Sequence, residues 1–146
     1  MQSSIQDFIN SKRLAVVGVS RGGKKFGNMA LTELAGRGYQ VFAVHPSAQE
    51  INGVKCYPDL KSLQGQVEGV LVSVSPQQGC DVLREAAEAK IKNVWLQQGA
   101  ESPQALALAE ELGLNLVTQK CILMYAPPVR SVHRWHRAIM KLFGKL

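Results

Sequence analysis

The sequence predicts an α/β fold in which a mostly parallel, five-stranded sheet lies between two helical layers. Three observations point there. Short apolar runs alternate with amphipathic stretches along the chain, the pattern of right-handed βαβ units. The first run, Leu14 to Val17, breaks into a glycine-rich loop carrying Arg21, Lys24 and Lys25 and then opens a helix. Later runs also end in small, polar or turn-forming residues, as strands do where their carboxyl ends open on a ligand crevice.

A short polar helix is expected at about 3–11, followed by the first strand near 14–19. The helix near 27–37 stops at Gly38, where a residue past the helix end can turn left-handed without steric cost. Tyr39 to Val44 supplies the second strand, and a single turn is expected at 59–63. The run Val70 to Val74 marks a buried strand near 68–74, with an amphipathic helix near 77–90. A fourth strand near 93–97 leads to a helix near 102–112, bracketed by Pro103 in its first turn and Gly113 just past its end. The fifth strand is expected near 114–118. Beyond it, Val132, Trp135, Ile139, Leu142, Phe143 and Leu146 recur at spacings of three and four, opposite Arg130, Arg134, Arg137, Lys141 and Lys145. That is a basic amphipathic helix, so residues 1–128 form the domain and 129–146 a helix packed on it or extending from it.

A chain of 146 residues that is 46% apolar makes one domain with a real core. Residues 1–119 hold 11 Lys+Arg against all 11 Asp+Glu, so the net charge of +6 belongs entirely to the C-terminal segment. No apolar run approaches the ~20 residues of a membrane span, and the first residues lack the order of a signal peptide. A cytoplasmic protein is expected. Cys56, Cys80 and Cys121 are too few and too widely spaced for a disulfide framework or a metal site, so reduced thiols and no metal are expected.

A strand feeding a loop of exposed amides at a helix N-terminus favours phosphate. Two common forms of that site are disfavoured. The loop nearly fits the Walker pattern, with Gly18, four residues, Gly23 and Lys24, but Lys25 stands where a Ser or Thr hydroxyl holds Mg²⁺. A dinucleotide fingerprint would need glycine in place of Ser20 and an acid closing the second strand, which instead ends in His45-Pro46. Four segments should meet at the crevice: Gly18 to Lys25, His45-Pro46-Ser47, Ser75-Pro76-Gln77 and Gln97-Gln98-Gly99.

VVGVS at 16–20, KKFGN at 24–28, GYQVFAVHP at 38–46, GVKCYPDL at 53–60, VWLQQGAES at 94–102 and KCILMYAPPV at 120–129 together resemble the CoA-binding domain family. These are the stand-alone relatives of the N-terminal domain of the succinyl-CoA synthetase alpha subunit. The resemblance implies a Rossmann-like fold that holds coenzyme A along the strand ends, with no chemistry of its own established. It implies that Gly18, Val19 and Ser20 wrap the pyrophosphate, with Lys25 or Lys24 as countercharge. His45 and Pro46 would border the adenosine, and Ser75, Pro76, Gln98 and Gly99 the rest of the cleft. Many relatives carry Asn where this chain has His45, and a strand-terminal histidine can simply bond to nearby backbone. The alternative on the same fold is an NAD(P)- or other nucleotide-binding protein with a redox or regulatory role. An enzyme using Cys121 as a nucleophile is a further alternative, though buried free cysteine is commoner. The basic helix packs on the core, contacts a second copy or protein partner, or lies on an anionic membrane surface without inserting. No motif supports nucleic acid.

Overall fold

Along β1 (Arg13–Val17), Leu14 and Val16 pack into one apolar cluster and Ala15 into another, as a strand with helices on both faces requires. The computed structural model describes residues 2–127. One face of the sheet is covered by α1 (Gln2–Ile9) and α2 (Phe26–Gly36), which bury Phe8, Leu31 and Leu34 against Leu71 and Trp95. The other is covered by α3 (Pro76–Glu88) and α4 (Pro103–Glu111), which bury Leu83, Ala86, Ala105 and Ala109 against Val70 and Leu96. Trp95 is fully buried, and its indole N–H donates to the Lys120 carbonyl at 3.0 Å, so its one polar group is satisfied.

The remaining strands are β2 (Gln40–Val44), β3 (Glu50–Ile51), β4 (Val54–Tyr57), β5 (Gly69–Val72), β6 (Asn93–Leu96) and β7 (Asn115–Val117). They form a sheet of order β3-β4-β2-β1-β5-β6-β7, parallel except for β3. This is an α/β, Rossmann-like fold. The sequence-based expectation of five strands is corrected to seven. The two additional strands form a hairpin on the edge of β2, and their turn, Asn52-Gly53, has φ of 52° and 77°, the double left-handed step that an Asn-Gly pair favours. With two and four residues of mixed polarity, they carry no apolar run that would reveal them. The expected C-terminal helix at 129–146 lies outside the described residues.

At the end of the sheet opposite the strand carboxyl termini, Glu68 Oε1 accepts the backbone N–H groups of Lys12, at 2.6 Å, and Arg13, at 3.2 Å. The Lys12 amide, more than partial burial opposes, holds this carboxyl below the usual glutamate range, with Arg13 and Lys12 adding to the effect. A folded-state pKa below the unfolded one contributes stability that is present at neutral pH and is lost as pH falls through the folded value. Glu68→Gln should therefore cost about 0.5–1 kcal/mol at pH 7, a small figure because the side chain is half exposed. Denaturant unfolding at pH 7 and pH 3 should show the gap between variant and parent closing in acid.

Candidate functional site

Sheet order reverses between β1 and β5, because the chain leaves β1 for β2 on one side and returns to β5 on the other. At that point the backbones are in near contact. A Cβ on Gly18, whose φ is +115°, would lie 1.9 Å from the Ser73 carbonyl oxygen. One on Gly27 would lie 2.4 Å from the Gly18 carbonyl oxygen. Two glycines thus let the end of β1 sit between the end of β5 and the start of α2.

The result is an open cleft of about 570 Å³ at the carboxyl ends of the strands, in the size range of small-molecule sites. Of the residues the sequence singles out, Gly18, Val19, Lys25, His45 and Pro46 line it, as do Ser75, Gln98 and Gly99. Ser20, Lys24 and Pro76 are not on its wall; Pro76 lines a smaller neighbouring cleft with Cys80 and Ser102. Gln97 faces inward, 5% exposed, where its Oε1 accepts the Ile122 amide at 3.1 Å. Cys121, half-buried before a 3-10 turn (Ile122–Met124), is outside the cleft wall. Phe26, Ser73 and Gln78 also line the cleft. Gln78 belongs to the first turn of α3, a placement that the Ser-Pro helix start at 75–76 could have signalled.

Two helix N-termini open on this cleft. Lys25 is the N-cap of α2 and Ser75 that of α3, and neither helix start is capped by a side chain. By contrast, the start of α4 is closed by Ser102, whose hydroxyl accepts the Ala105 amide at 3.1 Å. The Asn28 and Gln78 amides turn back on the Lys25 and Ser75 carbonyls, at 3.0 Å each, and Pro76 has no N–H, so an anion in the cleft would meet the amides of Phe26, Gly27 and Gln77 and the positive ends of two helix dipoles. Lys25 adds a full cation.

The loop between β1 and α2 is held by Asn28, 1% exposed in the first turn of α2. Its Oδ1 accepts the Ser20 amide at 2.9 Å, and its Nδ2 donates to the Ser20 carbonyl at 2.9 Å and to Asn52 Oδ1 at 2.8 Å. Asn28 and Asn52 are functional candidates that sequence reasoning missed, since residues 24 apart reveal nothing of their contact.

His45 shapes the second loop. Its Nδ1 accepts the backbone amides of Ser47, at 3.1 Å, and Ala48, at 3.0 Å. That is the job an Asn side chain does in an Asx-turn, and Nδ1 sits where an Asn side chain would place its amide group. A histidine can therefore do the work of an Asn at this turn, with Nε2 left as the N–H donor. His45→Asn should keep the thermal midpoint within a degree or two. His45→Ala, which hands the exposed Ser47 amide to water and takes the acceptor from the half-buried Ala48 amide, should cost about 1 kcal/mol. Thermal unfolding of the two variants checks this, and equal losses would count against the acceptor role.

A family model described as CoA binding domain matches residues 12–127. The chain belongs to the CoA binding domain family. An uncharacterized Bacillus subtilis protein, YneT, is 31% identical over 112 residues, covering 77% of this chain and 83% of that protein. A conserved hypothetical protein from Pyrococcus furiosus superposes with a TM-score of 0.73 at 36% identity, over 77% of this chain and 97% of that structure. The alpha subunit of the ADP-forming acetate–CoA ligase II of Pyrococcus furiosus is 25% identical over 126 residues, which span 79% of this chain and 28% of the subunit. This CoA binding domain thus matches about a quarter of that enzyme subunit and most of the stand-alone proteins. No helix among the described residues is long and apolar enough to cross a membrane.

Proposed function

We propose that this chain binds coenzyme A or an acyl-CoA along the carboxyl ends of its strands and acts by recognition rather than turnover. The observation that carries the reading is the meeting of two uncapped helix N-termini and Lys25 in one cleft of a CoA binding domain. The pyrophosphate would lie against Gly18 and Val19. Because the Ser20 amide and hydroxyl both donate to Asn28 Oδ1, at 2.9 and 3.4 Å, Ser20 would take part by shaping the loop. Lys25 supplies contact countercharge, and exposed Lys24 adds longer-range attraction. His45 and Pro46 border the adenosine. The pantetheine arm runs past Ser75, Gln98 and Gly99 toward Pro76.

Recognition without turnover is supported by the cleft's own side chains. Its titratable wall residues are Lys25 and His45, and Nδ1 of His45 is already engaged by two amides. Among the described residues no hydrogen bond pairs Ser73, Ser75 or Lys25 of the wall with His45 as a base. The NAD(P) reading is not favoured: β2 is followed by His45 rather than an acid, which counts against NAD, and the family, one of CoA binding, counts against both forms. Calorimetry with CoA, NADP and ATP tests the choice, and CoA should bind tightest. Preference for NADP, or no heat with CoA at millimolar concentration, would overturn it.

A further inference from the structure

A second cleft, of about 490 Å³, shares His45 and Pro46 with the first and continues beyond them along Ser47, Ala48 and Gln49 to Lys55 and Pro58. It lies at the same edge of the sheet, because β4 runs parallel to β2 and the His45 amide donates to the Tyr57 carbonyl at 2.9 Å. The two clefts therefore adjoin, one on either side of the His45-Pro46 turn.

Two cations flank the second cleft. Lys55 Nζ stands 5.1 Å from the centre of the Tyr57 ring, and that ring packs on Phe42 with centroids 5.8 Å apart, so the ammonium has a fixed aromatic support. Glu50 is opposite Lys55 across the hairpin, yet no ion pair joins them among the described residues. From the glycine-rich loop, Arg21 Nη2 donates to Ser47 Oγ at 3.0 Å, which draws the guanidinium to the rim and leaves the rest of its donor fork available. The amides of Ser47 and Ala48 are consumed by His45, so an anion here would be bound by side chains.

Resting on the CoA reading, the geometry points to Arg21 and Lys55 as the residues that recognise the ribose 3′-phosphate, making the second cleft the determinant of specificity for CoA over dephospho-CoA. With the pyrophosphate at the first cleft and the adenosine at the His45-Pro46 bend, the 3′-phosphate is the next charged group along the ligand. It then falls where the chain places its next two cations. Both side chains are on the surface and neither is part of the apolar core, so replacing them leaves the fold intact.

Calorimetry of CoA and dephospho-CoA against the parent protein and the Arg21→Gln/Lys55→Met double variant tests the assignment. The parent should prefer CoA by roughly tenfold or more, as two charge-assisted contacts to one phosphate imply. In the double variant CoA should weaken to the level of dephospho-CoA, while dephospho-CoA binds as before and thereby reports an intact first cleft. Equal affinity of the parent for the two ligands would overturn the inference, as would a preference that survives the double substitution or a parallel loss for both ligands. Failure of both ligands to bind the parent would instead remove the CoA reading itself.

Discussion

Gly18→Ala should be strongly destabilising, because its added methyl group makes the tightest clash among the glycines compared. The new Cβ would stand 1.9 Å from the Ser73 carbonyl oxygen and 2.7 Å from its carbon, and both are backbone atoms of the neighbouring strand connection. Neither can swing aside as a side-chain tip would. The residue also holds φ at +115°, which an L-residue adopts only at a cost of about 1–3 kcal/mol. Relief of the clash requires the ends of β1 and β5 to part, so the total loss should reach about 3–5 kcal/mol. In a chain of this size that lowers the thermal midpoint by about 10–15 °C. Ligand affinity should fall with it, since the wall of the cleft is what moves. Gly36→Ala is the internal control: this glycine ends α2, has nothing within 4 Å of its would-be Cβ and should gain about 0.5–1 kcal/mol from reduced chain entropy. Thermal unfolding of the pair gives shifts of opposite sign. A Gly18→Ala midpoint equal to the parent's would mean that the close approach of β1 and β5 is not a feature of the folded protein.

Which parts of this arrangement can be seen in the sequence follows from how each part is stabilised. β1, β5 and β6 are buried on both faces, so they are written as unbroken apolar runs and are legible at a glance. β3 and β4 form the edge of the sheet, where one face and one rim meet solvent, and Glu50 and Lys55 break any pattern. Their one clear signal is the Asn52-Gly53 turn. In the site, Gly18 is legible because a glycine after a first strand has few other uses. Gly27 is harder to identify, since its role depends on how closely α2 approaches Gly18, a distance no local pattern encodes. His45 reads as a departure from an Asn pattern until its Nδ1 is seen accepting two amides. Its meaning lies in geometry rather than residue type.

The edge hairpin also has a bearing on the site, and Asn28 is where that link can be tested. The side chain of Asn28 is nearly inaccessible and uses two acceptor and two donor contacts: it takes the Ser20 amide and hydroxyl, gives to the Ser20 carbonyl and gives to Asn52 at the hairpin turn. Gly23 passes over the same turn, its would-be Cβ 3.8 Å from Asn52 Nδ2. The loop between β1 and α2 is thus braced against β3 and β4 rather than free-standing. Asn28→Ala strands the Ser20 amide, leaves the Ser20 carbonyl with the Gly23 amide alone and should cost about 2–3 kcal/mol, with CoA affinity falling about tenfold as the loop loses its preset shape. Asn52→Ala removes a single contact and should cost about 1 kcal/mol. Asn28→Asp separates the two roles of the position. It keeps the acceptor for the Ser20 amide but sets a carboxylate against the Ser20 carbonyl and Asn52 Oδ1, on the loop where a diphosphate would lie. Affinity should therefore fall further in Asn28→Asp than in Asn28→Ala, and the excess should shrink as salt screens the repulsion. Stability and CoA affinity measured on the three variants check this order. An Asn28→Ala protein that folds and binds CoA as tightly as the parent would show that the brace does not shape the site.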